Sequence, residues 1–173
     1  LSSKAVETAK KNGEPVKAPV EVEATRNSNT APVVNIEVPK SAGETKVEIP
    51  VTNVKPGTVA VLVHPDGTEE IIKNSVPTED GIQLTVNGGV TVKIVDNSKD
   101  FIDTREHWSR DQVNFVAARE LFQGVGNNQF GVGRPMTRGM VNTVLARLAG
   151  VDTTPAAGQN WYDKGIAWAR ENG

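Results

Sequence analysis

The chain has 173 residues, 37% of them hydrophobic and 23% charged, with a formal net charge of −2. This is an ordinary folded-protein composition, and it argues against disorder throughout. The near-neutral charge and the lack of a basic cluster remove the electrostatic basis for nucleic-acid binding. No apolar run approaches the roughly 20 residues of a membrane span, and without cysteine there is no disulfide framework or thiolate metal site.

Residues 1–18 are rich in Lys, Glu, Ala and Pro with weak periodicity. They read as a flexible lead-in, with a frayed helix over 3–11 as the alternative. Leu1 stands where an initiating Met would, and no signal peptide is visible, so a processed or excised piece is expected.

From 19 to 96 the pattern changes to short β-rich runs separated by turn chemistry. Residues 20–23, 34–38 and 47–51 alternate apolar with polar, whereas 59–64 is more continuously apolar and suggests an inner strand. Pro65-Asp66-Gly67 turns the chain, and 70–73 returns as a hairpin partner. Asn87-Gly88-Gly89, between runs at 82–86 and 90–95, is a strong local hairpin signal. Six or seven such strands predict a small all-β, sandwich-like domain. Its core is Val, Ile and Leu alone, because all four Phe, all three Trp and the one Tyr lie at or beyond Phe101. Two stretches with such different core material are not expected to share one core, so the fold class is α+β with a boundary near 97–100.

Beyond that connector the period becomes helical. Ser109 with Gln112 reads as a capping box opening a helix that runs to about Phe122 and stops near Gly124. Its inward stripe is Val113, Val116, Ala117 and Leu121. After a Gly-rich loop and Pro135, a second helix starts at Thr137. Val141, Val144, Leu145 and Leu148 form its expected inward stripe, and Gly150 ends it. The unit is an α-helical hairpin over 97–150.

The helical part nearly recurs. With Trp161 set under Trp108, Ile166 falls under Val113, Trp168 under Phe115 and Ala169 under Val116, an offset of 53 residues. Such a period signals a modular array, in which one unit needs its neighbours to cover its apolar face. Residues 151–173 then read as a linker and the first helix of a second module.

The ordered set Phe101 and Asp103, His107-Trp108, Gly124 and Gly126, Phe130, Pro135, then Thr137-Arg138 resembles the S-layer homology module of bacterial cell-surface proteins. One departure is that the family's Ala-Glu after Thr-Arg is Gly139-Met140 here. Glu at the second position would complete a capping box, and Met140 is expected to lose half of it. The resemblance implies a non-catalytic module that attaches a surface protein to secondary cell-wall polymer, often a pyruvylated glycan, in grooves shared with neighbouring repeats. It also implies a bacterial cell-surface location and no cofactor or metal. Carried over residue by residue, the ligand-binding positions are Asp103, Trp108, Gly124 and Arg138. Each has a structural alternative: Asp103 as a helix or turn cap, Trp108 as inter-helix core, Gly124 as a helix terminator, and Arg138 as a solvated charge. If the second copy ends at Gly173, a groove between repeats has at most one complete wall here.

Other chemistry lacks support in the sequence. Asn127-Asn128 lacks the acidic spacing of a calcium loop. The two histidines, His64 and His107, fall in different regions, and Gly124-Val125-Gly126 follows no strand. The alternative functions are an adhesive or carbohydrate-binding β domain with a purely structural helical unit, and a non-catalytic fragment of a surface hydrolase.

Overall fold

The structure, a computed structural model, describes residues 33–173 together with 20–23, Glu7 and Lys11. The expectations for 1–18 lie outside the described residues apart from Glu7 and Lys11. The chain divides into two compact units, Leu1–Asn97 and Ser98–Gly173.

Among its described residues the first unit has eight strands: β1 (Val20–Glu23), β2 (Val33–Ile36), β3 (Glu44–Pro50), β4 (Thr58–Val63), β5 (Glu69–Ile71), β6 (Val76–Pro77), β7 (Gly81–Asn87) and β8 (Val90–Asp96). A 5-stranded sheet has the order β1-β2-β8-β4-β5, and a 3-stranded sheet has the order β3-β7-β6. All pairings are antiparallel. Alternation decides which side chains go inward. Thr45, Val47 and Ile49 of β3 are buried, and Glu44, Lys46 and Glu48 between them are exposed. The inward residues of both sheets form one core: Val34, Ile36, Ala60, Val92 and Ile94 from the larger sheet meet Val47, Ile49, Ile82, Leu84 and Val86 from the smaller. Small aliphatic side chains fill it, each adding roughly 1.5–3 kcal/mol when fully buried.

One expected hairpin is a crossover instead. Asn87-Gly88-Gly89 carries the chain from β7 in the small sheet to β8 in the large one. The Asn-Gly-Gly signal is local, whereas β8 is claimed on both sides by distant strands, β2 and β4. Pairing with both aligns the buried Val92 and Ile94 with the shared core, which a β7–β8 hairpin would not do.

The second unit holds α1 (Arg110–Ala118), α2 (Arg138–Leu148) and α3 (Asp163–Asn172). The recurrence is visible in the backbone. Arg110 N–H donates to His107 O at 3.1 Å, and Asp163 N–H donates to Asn160 O at 3.1 Å. The next helical bonds, Val113 to Ser109 and Ile166 to Tyr162, keep the same spacing.

The expected Ser109–Gln112 box does not form, since no side chain caps α1. His107 takes up Ser109 instead. The Ser109 amide donates to His107 Nδ1 at 3.3 Å, and the hydroxyl lies 2.7 Å from the same nitrogen. The helix also ends at Ala118, short of Phe122 and Gly124. Glu120 turns to φ 58, and its amide bonds Ala117 O at 3.0 Å while Leu121 N–H bonds Val116 O at 3.1 Å. This is the Schellman pattern, with a glutamate where glycine is usual. The same pattern closes α2 with Gly150 at φ 82: Gly150 N–H bonds Arg147 O at 3.0 Å and Val151 N–H bonds Ala146 O at 2.9 Å.

Most of the stripe expected on α2 faces outward, with only Val144 half-buried. Val141, Leu145 and Leu148 are 41%, 46% and 53% exposed, whereas Thr143 and Ala146 are buried. The reason is the close crossing of α3. A Cβ added to Gly165 would sit 2.7 Å from Thr143 Cα, so small residues bring the two helices together and the larger ones are left outside. Arg147 ties α2 to its surroundings, with Nη1 on Leu121 O at 3.0 Å and Nε on Thr153 Oγ1 at 2.8 Å.

Candidate functional site

Phe101, Phe122 and Phe130 make the platform under the Gly-rich loop. Phe130 stands 5.5 Å from Phe101 and 5.9 Å from Phe122 between ring centroids, a spacing typical of edge and tilted aromatic pairs. Above it, Asn127 and Asn128 both adopt positive φ, 51° and 54°. They close a tight turn in which Val125 N–H bonds Gln129 O at 2.9 Å and Gln129 N–H bonds Gly126 O at 3.0 Å. Adjacent Asn residues tolerate this conformation, so the pair weighed for calcium is turn chemistry.

Asp103 fixes the loop. Its Oδ1 accepts Phe130 N–H at 2.8 Å, and its Oδ2 accepts Gly131 N–H at 2.7 Å and Val132 N–H at 3.2 Å. These bonds, led by that from Phe130 and opposed by desolvation, hold the carboxyl below the usual aspartate range. Both oxygens are therefore engaged by the protein's own backbone. Gly124 is fixed just as firmly. It has φ 79, and a Cβ there would lie 2.6 Å from Gln129 O and 2.9 Å from Phe101 Cε1. It shapes the loop and does not terminate a helix.

Trp108 is 82% exposed, which excludes the inter-helix core alternative. The His107–Ser109 clasp spans its backbone, and its indole lies 5.4 Å from the His107 ring. Arg138 opens α2, is exposed, and among the described residues makes no hydrogen bond or ion pair. Asp103 and Gly124 thus meet in one loop system. Among the described residues no hydrogen bond or ring contact joins Trp108 to Arg138 or to that loop.

The start of α2 corrects another expectation. Thr137 Oγ1 accepts Met140 N–H at 3.3 Å, and Met140 Sδ lies 3.5 Å from Thr137 N as acceptor. The box is complete, with a thioether where the family has a carboxylate, although sulfur is a weak acceptor. The neighbouring departure has a partner as well: a Cβ on Gly139 would approach Tyr162 Cβ to 3.1 Å. Tyr162 meets Trp161 edge-on at 5.2 Å and 87°. The sequence reading missed Tyr162, whose only signal was its place beside the recurring Trp.

Residues 100–139 match the S-layer homology domain. The chain carries an S-layer homology domain. No curated protein and no solved structure matches the chain. The matched segment spans the Asp103 anchor, the Phe platform, the Gly-rich loop and Arg138. S-layer homology domains are non-catalytic anchoring modules, and this one associates the chain with the cell surface. No helix among the described residues is long and apolar enough to cross a membrane, and no group of His, Asp or Glu among them could hold a metal.

Proposed function

We propose that the S-layer homology domain attaches its protein to the wall by binding an anionic secondary cell-wall polymer at the start of α2. The observation that carries this reading is Arg138, an exposed guanidinium on the first turn of α2 that has no hydrogen-bond or ion-pair partner among the described residues. Its planar fork suits a carboxylate, and the free amides of the helix start add attraction for negative charge. Asp103 and Gly124 serve the site indirectly by setting the loop that delivers Thr137 and Arg138. Trp108 offers an exposed indole face of the kind that stacks on sugar rings. Tyr162, from the segment we read as the following repeat, lies against Gly139 beside that helix start. The domain boundaries we assign are 97–150 for the first module and 151–173 for the linker and first helix of the next, after a β domain over 19–96.

Retention on purified cell-wall sacculi, before and after the polymer is stripped, tests the reading. Binding should require the polymer, and Arg138→Ala should weaken it about tenfold or more, as for the loss of a charge-assisted contact. Equal retention on stripped sacculi would refute it.

A further inference from the structure

The smaller sheet has the order β3-β7-β6, and among the described residues no strand pairs with the outer edge of β3. In an antiparallel ladder, alternate residues direct N–H and C=O toward one neighbour, and the residues between them direct theirs the other way. Val51 N–H donates to Asp80 O at 3.2 Å, and the Ile49 carbonyl points toward Gly81. In that register Thr45, Val47 and Ile49 bond β7 opposite Val86, Leu84 and Ile82. The backbone groups of Glu44, Lys46, Glu48 and Pro50 therefore point away from β7, and all four residues are exposed. An edge of this kind is a template for one more strand.

We propose that β3 pairs antiparallel with β3 of a second copy of this chain, about a twofold axis at Val47. The charge pattern selects both the partner and the register. Outward residues must face outward residues, because the groups of the others are spent on β7. Centring the pair on Val47 overlaps the whole strand and sets Lys46 opposite Glu48 twice. It also lets each Glu44 N–H donate to the Pro50 carbonyl across the axis, where proline has no N–H to return. Centring on Lys46 shortens the overlap and sets Lys46 against Lys46 and Glu44 against Glu48. Centring on Glu48 sets Glu48 against itself, and further shifts leave only the strand ends in contact. Opposite charges across a strand pair stabilise it and like charges oppose it.

On the other face Val47 meets Val47 and Thr45 meets Ile49, all residues that already point into the core, so two small sheets become one continuous sheet. The Thr78 hydroxyl donates to Glu48 and steadies it on the outer face. A lysine such as Lys46 guards an edge against foreign strands, but its own copy offers it a counter-charge. The contact is isologous, as a twofold dimer requires. One strand pair buries less than the roughly 1,200 Å² of a stable interface, so the dimer is weak and forms at high protein concentration. The proposal is independent of the anchoring function.

The test is sedimentation equilibrium of the full chain over a concentration series, with a thermal melt for each variant. The wild type should show a monomer–dimer equilibrium. Lys46→Glu and Glu48→Lys each set two like-charged pairs across the axis and should weaken self-association about tenfold or more. An equimolar mixture of these two variants should dimerise again, because every Glu then faces a Lys, and the double swap in one chain should recover wild-type association within about threefold. The Lys46 and Glu48 amides should gain hydrogen-exchange protection as concentration rises. A chain that stays monomeric up to about 1 mM overturns the proposal. So does a dimer indifferent to both substitutions, a mixture that fails to reassociate, or protection of these amides already present in the monomer, which would mean that the chain covers its own edge.

Discussion

Asp103 Oδ2 accepts the Gly131 amide at 2.7 Å and so joins the segment before α1 to the loop before α2. The neighbouring bonds from Phe130 and Val132 make this carboxylate the loop's main tether. Because folding depresses its pKa below the ordinary 3.8, its contribution is fully present above that value and is lost as pH falls through the lower folded-state value. We expect the Phe130–Val132 amides to lose hydrogen-exchange protection on acidification below 3.8, and in Asp103→Asn at neutral pH. Unchanged protection in that variant would show that the loop holds without the charge.

Gly124→Ala should destabilise the second unit by about 2–3 kcal/mol, since it combines positive-φ strain with a backbone clash. A chemical-denaturation midpoint equal to wild type would mean that the loop can re-form around Gln129.

The two Schellman ends predict the opposite sign elsewhere. Glu120 holds φ 58 where Gly150 holds φ 82 in the same role. Glu120→Gly should stabilise by about 0.5–1 kcal/mol, the cost of an L-residue in that conformation. The expected readout is a higher melting temperature, and a drop would show that the Glu120 charge, which acts on Arg147 without an ion pair, outweighs the strain.

Met140→Glu replaces a weak sulfur acceptor with a carboxylate, in a first turn that contains no acidic residue. A gain of roughly 0.5 kcal/mol is expected from the stronger box and the helix dipole. Measured destabilisation would assign Met140 a packing role instead.

Gly165→Ala should cost more than 2 kcal/mol, roughly the scale of overpacking, because its methyl would enter the Thr143 backbone. Thr143→Val should be neutral or stabilising by about 1 kcal/mol, as its buried hydroxyl has no partner among the described residues. Loss of stability in the valine variant would indicate that the hydroxyl is satisfied in solution.

The strands were legible because alternation such as that of 47–51 reports directly which residues face a core. The order of the strands was not, because Gly88-Gly89 looks the same whether it folds β7 back on itself or passes the chain to another sheet. On α2 the sequence showed an apolar stripe but not its direction. The helix faces its partner with Thr143 and Ala146, and close approach was set by Gly165, where the first copy has Gln112. Asp103 and Gly124 were found as positions. Their work as loop tether and loop corner depends on amides nearly thirty residues away for Asp103 and on the Gln129 carbonyl for Gly124, which no local pattern reveals. Tyr162 was invisible for the same reason, because its contact with Gly139 joins distant stretches of the chain.

The crossover at Gly88-Gly89 also bears on how the first unit acquires its structure. Val33 pairs with Lys93, so β2 must wait for the far end of the unit before its ladder is satisfied. Loops of that length close slowly, and folding rates fall as such distant pairings come to dominate. The three helices of the second unit rest on near-neighbour contacts and should form faster. Refolding is then expected in two phases, a fast helical one and a slower one that ends when β8 slots between β2 and β4.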